Sequence, residues 1–403
     1  MTVSAVVTGI GIAAPNGLGT NSFWEATCSG HSGIGTVSHF DPTRYPVRLA
    51  GEVPGFEAAE HLPSRLLPQT DRMTRLALVA TDWALVDAGV KIEELDDYDM
   101  GVVTASSSGG FEFGQNELRK LWSQGSHHVS AYQSFAWFYA VNTGQISIRN
   151  GMRGPSGVVV SDQAGGLDAL AQARRQIRKG TGLVVTGGVD ATICPWGWVA
   201  LLASSTLSTE DDPLRAYVPF DKQACGHVPG EGGAILIIED AAEARERGAH
   251  IYGEIAGHGS TFDAKDRGGQ ETGLIRAIEI ALADADTTVD DIDVVFADAA
   301  ADPALDYAEA TALRAIFGTR SVPVTAPKTM TGRLYSGAGA LDVATALLSI
   351  QAELIPPTVN TEPDPGLGID LVVGTPRRAC VRTALVVARG HHGFNSAVVV
   401  RAV

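Results

Sequence analysis

The chain has 403 residues, more than one hydrophobic core ordinarily serves, so two core units or one large layered domain are expected. Only 19% of residues are charged, against roughly 25% in an average globular chain, which implies a large core, a large subunit interface, or both. Thirty Lys and Arg against 46 Asp and Glu leave a net charge of −16, which excludes wrapping of nucleic acid and lying on an anionic membrane as roles.

Short β-branched runs bounded by glycine predict strands at 6–8, 101–104, 158–161, 183–186, 234–238, 294–296, 384–387 and 397–400. The runs Val158-Val159-Val160 and Ile235-Leu236-Ile237-Ile238 are continuous rather than alternating, as in strands covered by helices on both faces. The first strand carries Gly9-Ile10-Gly11-Ile12-Ala13-Ala14, a G-x-G-x-x-A match. Pro15-Asn16-Gly17 prolongs the turn where a dinucleotide-binding helix would have to begin, so no cofactor is expected there.

Helices are predicted over 70–88, capped by Thr70 or Asp71 and ended by Gly89, and over 163–179, with Leu167, Leu170, Ala171 and Ile177 inward. Arg174, Arg175, Arg178 and Lys179 suit the C-terminal end of that second helix. Segments 270–285 and 338–353 read as further helices of small residues. Strand–helix–strand order occurs twice, which argues for a layered α/β protein. A charged helix over 241–247 ends at Gly248, and both sides of it open on a strand with paired glycines (VVTGIG and EIAGHG), hinting at internal duplication. Two halves, 1–248 and 249–403, sharing one core follow from this.

Cys28, Cys194, Cys225 and Cys380 are scattered, with no C-x-x-C pair, so neither a disulfide framework nor a metal site is expected. His127-His128 and His391-His392 are adjacent pairs whose neighbours on a strand would point to opposite faces, unlike ligands. The N-terminal segment lacks a basic n-region, and apolar stretches such as 343–350 fall short of the ~20 residues of a membrane span. A cytoplasmic chain is expected.

The informative stretch is 154–179, GPSGVVVSDQAGGLDALAQARRQIRK. A strand runs into a helix there, and such a corner aims backbone N–H groups and a positive helix end at one spot, suited to a thiolate or an oxyanion. The residue in the corner is Gln163, whose carboxamide is no nucleophile.

Along nearly its whole length the chain resembles the β-ketoacyl synthases of the thiolase superfamily. The resemblance rests on VVTGIGIAAPNG, PFDKQACGHVPGEGGAILIIED, APKTMTG, PPTVNTEPDP and the terminal GFNSAVVV, in family order. It implies a thiolase-like layered αβαβα fold built from two duplicated βα halves. Condensing members carry Cys where Gln163 stands. Their first histidine falls at Asp298, within Phe296-Ala297-Asp298-Ala299-Ala300-Ala301-Asp302-Pro303, and their second falls at Arg333; Lys328 is retained. The loop that reads G-F-G-G in the family is Gly390-His391-His392-Gly393-Phe394-Asn395 here.

Claisen condensation needs a thiolate to hold the acyl chain and neutral imidazoles beside the enolate. With Gln163, Asp298 and Arg333 in those places the family reaction is not expected of this chain. Cys225, in a turn without a base or helix dipole, offers no substitute nucleophile. The combination, with segment 108–148, resembles the chain length factor, the ketosynthase beta subunit of bacterial type II aromatic polyketide synthases.

That resemblance implies an obligate heterodimer with a Cys-bearing ketosynthase alpha subunit. An interface tunnel would hold the poly-β-ketone intermediate, and the acyl carrier protein would dock mainly through the alpha subunit. The cluster Arg174, Arg175, Arg178 and Lys179 would add to docking only locally. Phe111, Gly114 and Leu118, spaced i, i+3, i+7, match the family's tunnel-lining helix. Without a ring at 114 or 118 the tunnel would be roomy, and the product decaketide-like or longer. Two readings of Gln163 stand side by side: a carboxamide that assists malonyl decarboxylation, or a filler of the space left by Cys.

Overall fold

The computed structural model describes residues 3–263 and 271–403. Eleven strands form its main sheet: β1 (Ala5–Ala14), β2 (Met100–Ala105), β3 (Ser156–Val159), β4 (Leu183–Asp190), β5 (Gly232–Asp240), β6 (Gly253–Phe262), β7 (Val294–Phe296), β8 (Pro323–Thr325), β9 (Asp370–Leu371), β10 (Thr383–Gly390) and β11 (Phe394–Arg401). Gly17–Leu18 folds back on the end of β1 as a short twelfth. The helices that matter here are α1 (Arg72–Asp87), α2 (Phe111–Gln124), α3 (Gly165–Arg178), α4 (Pro195–Leu202), α5 (Glu271–Asp284), α6 (Pro303–Phe317) and α7 (Ser336–Ala352).

The strand order is β9-β8-β7-β10-β11-β6-β1-β5-β4-β2-β3. Its middle is a short antiparallel join of β1 to β6 at Val6–Glu254 and Val7–Gly253. Moving outward from that join, each side shows two antiparallel pairings followed by parallel ones: β1-β5-β4-β2-β3 on one side, β6-β11-β10-β7-β8 on the other. The two arrays repeat one plan, the duplication at which the paired-glycine strands hinted.

Those glycines serve packing rather than a phosphate turn. A Cβ on Gly9 or Gly11 would sit 2.2 Å from the Ala84 carbonyl or 1.9 Å from that of Ala80, so α1 can lie directly on β1. Gly257 and Gly259 stand in the same relation to Ala281 and Ala277 of α5, at 2.2 and 2.1 Å. Close backbone approach requires the missing side chain at all four.

Between the arrays run α3 and α7. Every residue from 336 to 347 is buried, as expected of a helix apolar all round. A Cβ on Gly166 would lie 2.6 Å from the Ala340 nitrogen, so small residues let the two helices touch. The sequence-predicted strands and helices form, except that the strand expected at 158–161 spans Ser156–Val159 and leaves Val160 and Ser161 outside it. β8 and β9 were not expected, being too short for a pattern. Residue 270, expected to begin α5, lies outside the described residues.

Three expectations are corrected. Residues 235–238 are buried on both faces, but Val158 and Val159 are only half-buried and Val160 is 50% exposed, because β3 is the sheet's edge with β2 as its one neighbour. His391 and His392 do not alternate across a strand. They occupy the turn between β10 and β11, with ring centroids 3.7 Å apart and His392 at φ +66°. The cluster at the end of α3 is not wholly a surface feature either: Arg174 is 4% exposed, bonded to Asp284 and to the Ala256 carbonyl.

Candidate functional site

Asp162 turns the chain from β3 into α3 at φ +52°, a conformation costing about 1–3 kcal/mol for a residue with a side chain. Its carboxylate is held by the His391 amide at 2.8 Å. Gln163 follows in a 3-10 turn, Asp162–Ala164, and is fully buried. Neither its amide nitrogen nor its carbonyl oxygen has a hydrogen-bond partner. A buried carboxamide without partners costs several kcal/mol, of the order of 2–7.

Around the corner the chain is anchored by carboxylates. Asp168, in the first turn of α3, accepts from Ser161 at 2.7 Å and from Ser396 at 2.8 Å, with His258 Nε2 at 3.1 Å. Ala105, at the end of β2, lies 3.2 Å from where a Cβ on Gly165 would be. From that point residues 106–110 lead directly into α2, which links the Gln163 corner to the helix that carries Phe111, Gly114 and Leu118.

The loop after β7 carries Asp298. Two buried carboxylates from α6 shape it: Glu309 accepts the amides of Asp298 and Ala299 at 2.7 and 2.9 Å, and Asp306 accepts those of Phe220 and Ala301 at 2.7 and 3.1 Å. Tyr217 donates its hydroxyl to the Ala299 carbonyl at 2.9 Å. These bonds hold Ala299 and Ala301 at φ +51° and +55°. Burial pushes the Asp306 carboxyl up to about 8, against the pull of its two amides. Burial, then the charge of Asp298, raises that of Glu309. Sequence reasoning missed Tyr217, Asp306 and Glu309; acidic residues at i, i+3 in an alanine-rich helix were the available signal.

Arg333 Nη2 reaches both Asp298 carboxylate oxygens, at 2.9 and 3.0 Å, and the Arg389 carbonyl at 2.9 Å, while Nη1 donates to the Asp298 carbonyl at 3.1 Å. Both side chains are buried. Burial works against the guanidinium charge, and the Asp298 carboxylate more than offsets it, so the arginine stays protonated. Lys328 is buried too. Its ammonium donates to the Ala297 carbonyl at 2.6 Å and pairs with Asp342 of α7 at 2.8 Å. Burial, then the Arg333 charge, holds His227 well below its ordinary value, leaving a neutral imidazole 3.5 Å from the Tyr335 hydroxyl.

The structure brings Gln163, Asp298, Lys328 and Arg333 to one region through a three-residue link. The Arg389 amide donates to Asp298 at 2.9 Å, Gly390 packs on Ser161 and Asp162, and the His391 amide holds Asp162. What the region can do is limited. An arginine locked on a carboxylate cannot shuttle a proton, and a carboxamide cannot carry an acyl group.

On α2, Phe111, Gly114 and Leu118 share a face as the spacing predicts. The space at Gly114 is filled, however: a Cβ there would lie 3.0 Å from the Trp196 ring and 3.5 Å from Trp137 Cβ. Trp196, at the start of α4, also meets Phe111 edge-on, centroids 4.8 Å apart. Its amide is held by Gln115 at 2.7 Å. Leu118 is 38% exposed.

The sequence matches the profile described as Beta-ketoacyl synthase, N-terminal domain, over residues 4–244, and that of the C-terminal domain over 252–362. It is 63% identical over 399 residues to the tetracenomycin polyketide synthase ketoacyl synthase beta subunit of Streptomyces glaucescens, covering 98% of each chain. Among solved structures, the ishigamide ketosynthase/chain length factor superposes with a TM-score of 0.92 at 26% identity, over 100% of both chains. A type II polyketide synthase acyl-carrier protein in complex with its ketosynthase bound to the hexaketide gives 0.90 at 26% identity, again over 100% of both. With its thiolase-like fold, this chain belongs to the β-ketoacyl synthase family, among the ketosynthase beta subunits of type II polyketide synthases.

Proposed function

We propose that this chain is a non-condensing chain length factor. In this reading it pairs obligately with a Cys-bearing ketosynthase alpha subunit in the cytoplasm and shapes the tunnel in which the poly-β-ketone grows. The Asp298–Arg333 ion pair carries the proposal. Where condensation needs two neutral imidazoles, this chain has a self-neutralised pair, beside a corner without a nucleophile. The scaffold is kept while the chemistry is replaced, which favours a structural part in a condensing complex.

The surface supports a partner. The edge strand β3 offers unpaired backbone, and Ile148 at 76%, Val160 at 50% and Trp137 at 46% exposure leave apolar side chains for a second subunit to cover. The acyl carrier protein would dock mainly on the alpha subunit, since this chain is at −16 and Arg174 is spent internally. We read the two halves, 1–248 and 249–403, as one unit on the beta side of the tunnel.

Phe111, Gly114 and Leu118 would line that tunnel. With no ring at 114 or 118 on α2 itself, we infer a decaketide-like or longer product, the Trp196 indole being the bulk that borders the helix. Co-expression with an alpha subunit and carrier protein, followed by mass measurement of the released polyketide, tests this. An octaketide as the principal product would overturn the length assignment, and condensation without this chain would overturn the partnership.

The unpartnered Gln163 carboxamide favours a second reading, a malonyl-carrier-protein decarboxylase that primes synthesis. A thioester carbonyl could accept from its nitrogen. Malonyl decarboxylation by Gln163→Ala, paired with an alpha subunit whose nucleophile is removed, decides it. A rate that survives the substitution sinks this reading and leaves Gln163 as a filler.

A further inference from the structure

Helix α2 lacks a cap from its own sequence: Gly110, which precedes it, offers no side chain. The missing acceptor comes from 42 residues upstream. Asp71, 2% exposed, accepts the Met73 amide through Oδ1 at 2.9 Å and the Phe113 amide through Oδ2 at 2.8 Å. One carboxyl group therefore caps two helices, α1 and α2, and burial pushes it up to about 7 against the pull of those two amides. Gly110 lets the two chains meet, because a Cβ there would lie 2.9 Å from Asp71 Cβ and 2.2 Å from the Ala136 carbonyl.

We propose that Asp71 is a positioning residue for product length, its Oδ2–Phe113 bond fixing where α2 starts and hence which way Phe111, Gly114 and Leu118 face. The inference rests on the tunnel reading above. A slip of one residue in the register of α2 turns its faces by about 100°, which would move Leu118 off the stripe and change the space beside Trp196. The bond that Asp71 makes to α2 is to the Phe113 backbone amide. It acts through the backbone of α2.

The test uses the complete complex of this chain, an alpha subunit and carrier protein, and reads the ratio of the principal product to products one or two ketide units away. Asp71→Asn keeps an acceptor for only one amide, and that ratio is expected to fall about tenfold, the scale of one lost buried hydrogen bond. Should Asp71→Asn fail to assemble, Asp71→Ser carries the test. A serine hydroxyl still caps α1 through Met73 and is too short to reach Phe113 as well. A uniform loss of turnover at an unchanged ratio marks a merely structural residue and overturns the inference. Leu118→Trp in parallel separates the two ideas: if it too leaves length unchanged, the tunnel reading itself fails, whereas if it shortens the product while the Asp71 variants do not, only the role of Asp71 is lost.

Discussion

Arg333 and Asp298 face each other through one guanidinium nitrogen and two carboxylate oxygens, at 2.9 and 3.0 Å, with both side chains out of water. In the function proposed above, the pair takes the place of the two histidines of a condensing site. Neither partner can be changed alone without leaving an uncompensated buried charge.

Arg333→Met is accordingly expected to destabilise the folded complex by about 3–5 kcal/mol. The double variant Asp298→Asn, Arg333→Met should lose much less than the sum of the two single changes, because apolar or neutral replacement of both partners is close to neutral. Urea unfolding of the four proteins measures the coupling. Additive losses would mean that the two side chains do not act as a pair.

Restoring the nucleophile is not expected to restore chemistry. Gln163→Cys places a thiol in the corner, but no neutral imidazole follows at 298 or 333, and the enolate would form beside the Asp298 carboxylate. Paired with an alpha subunit that lacks its own cysteine, the variant should form no carbon–carbon bond above background, as judged by mass spectrometry of carrier-bound products. Condensation in that experiment would contradict the degenerate-site account.

Bulk on the α2 face should shorten the product. Gly114→Trp adds a ring beside Trp196, where even a Cβ already comes within 3.0 Å of the indole, and Leu118→Phe adds one about a turn further along α2. Loss of at least one ketide unit is expected, whereas Trp196→Ala, which empties the space over Gly114, should lengthen or broaden the distribution. Product masses unchanged across all three variants would sink the assignment of this face to the tunnel.

The α6 carboxyls predict how stability varies with pH. Asp306 is pushed up by burial to about 8, so it binds its proton more tightly folded than unfolded. Its contribution to stability is complete below its unfolded value, about 3.9, and is withdrawn as pH rises through 8. Tm is expected to fall between about pH 4 and 8 and to level off above that. Asp306→Asn should flatten that slope while lowering Tm at pH 6, since one amide oxygen must serve the two donors of Phe220 and Ala301. A slope unchanged in the variant would assign the titration to another group.

Much of the molecule was legible residue by residue. Glycine-bounded β-branched runs located eight strands, and Asp71 was recognisable as a cap because its side chain acts two residues away, on Met73. Its second bond, to Phe113, was not legible, since nothing local ties 71 to 113. The same limit explains Val158-Val159-Val160: an apolar run states that a strand will be covered, and only the sheet order reveals that β3 lies at the edge.

The sequence by itself determined the layered α/β class and the hint of duplication, because these follow from periodicity and glycine placement, both local properties, and its likeness to the β-ketoacyl synthases implied the thiolase-like plan and the missing nucleophile at Gln163. The tertiary structure alone decided that Asp298 and Arg333 neutralise each other, that Gln163 is buried without partners, that Trp196 fills the space over Gly114, and that Asp71 caps a helix it does not adjoin. Each of these is a contact between distant segments. Their geometry is set by how two arrays and their helices pack around α3 and α7, and no spacing along the chain encodes it.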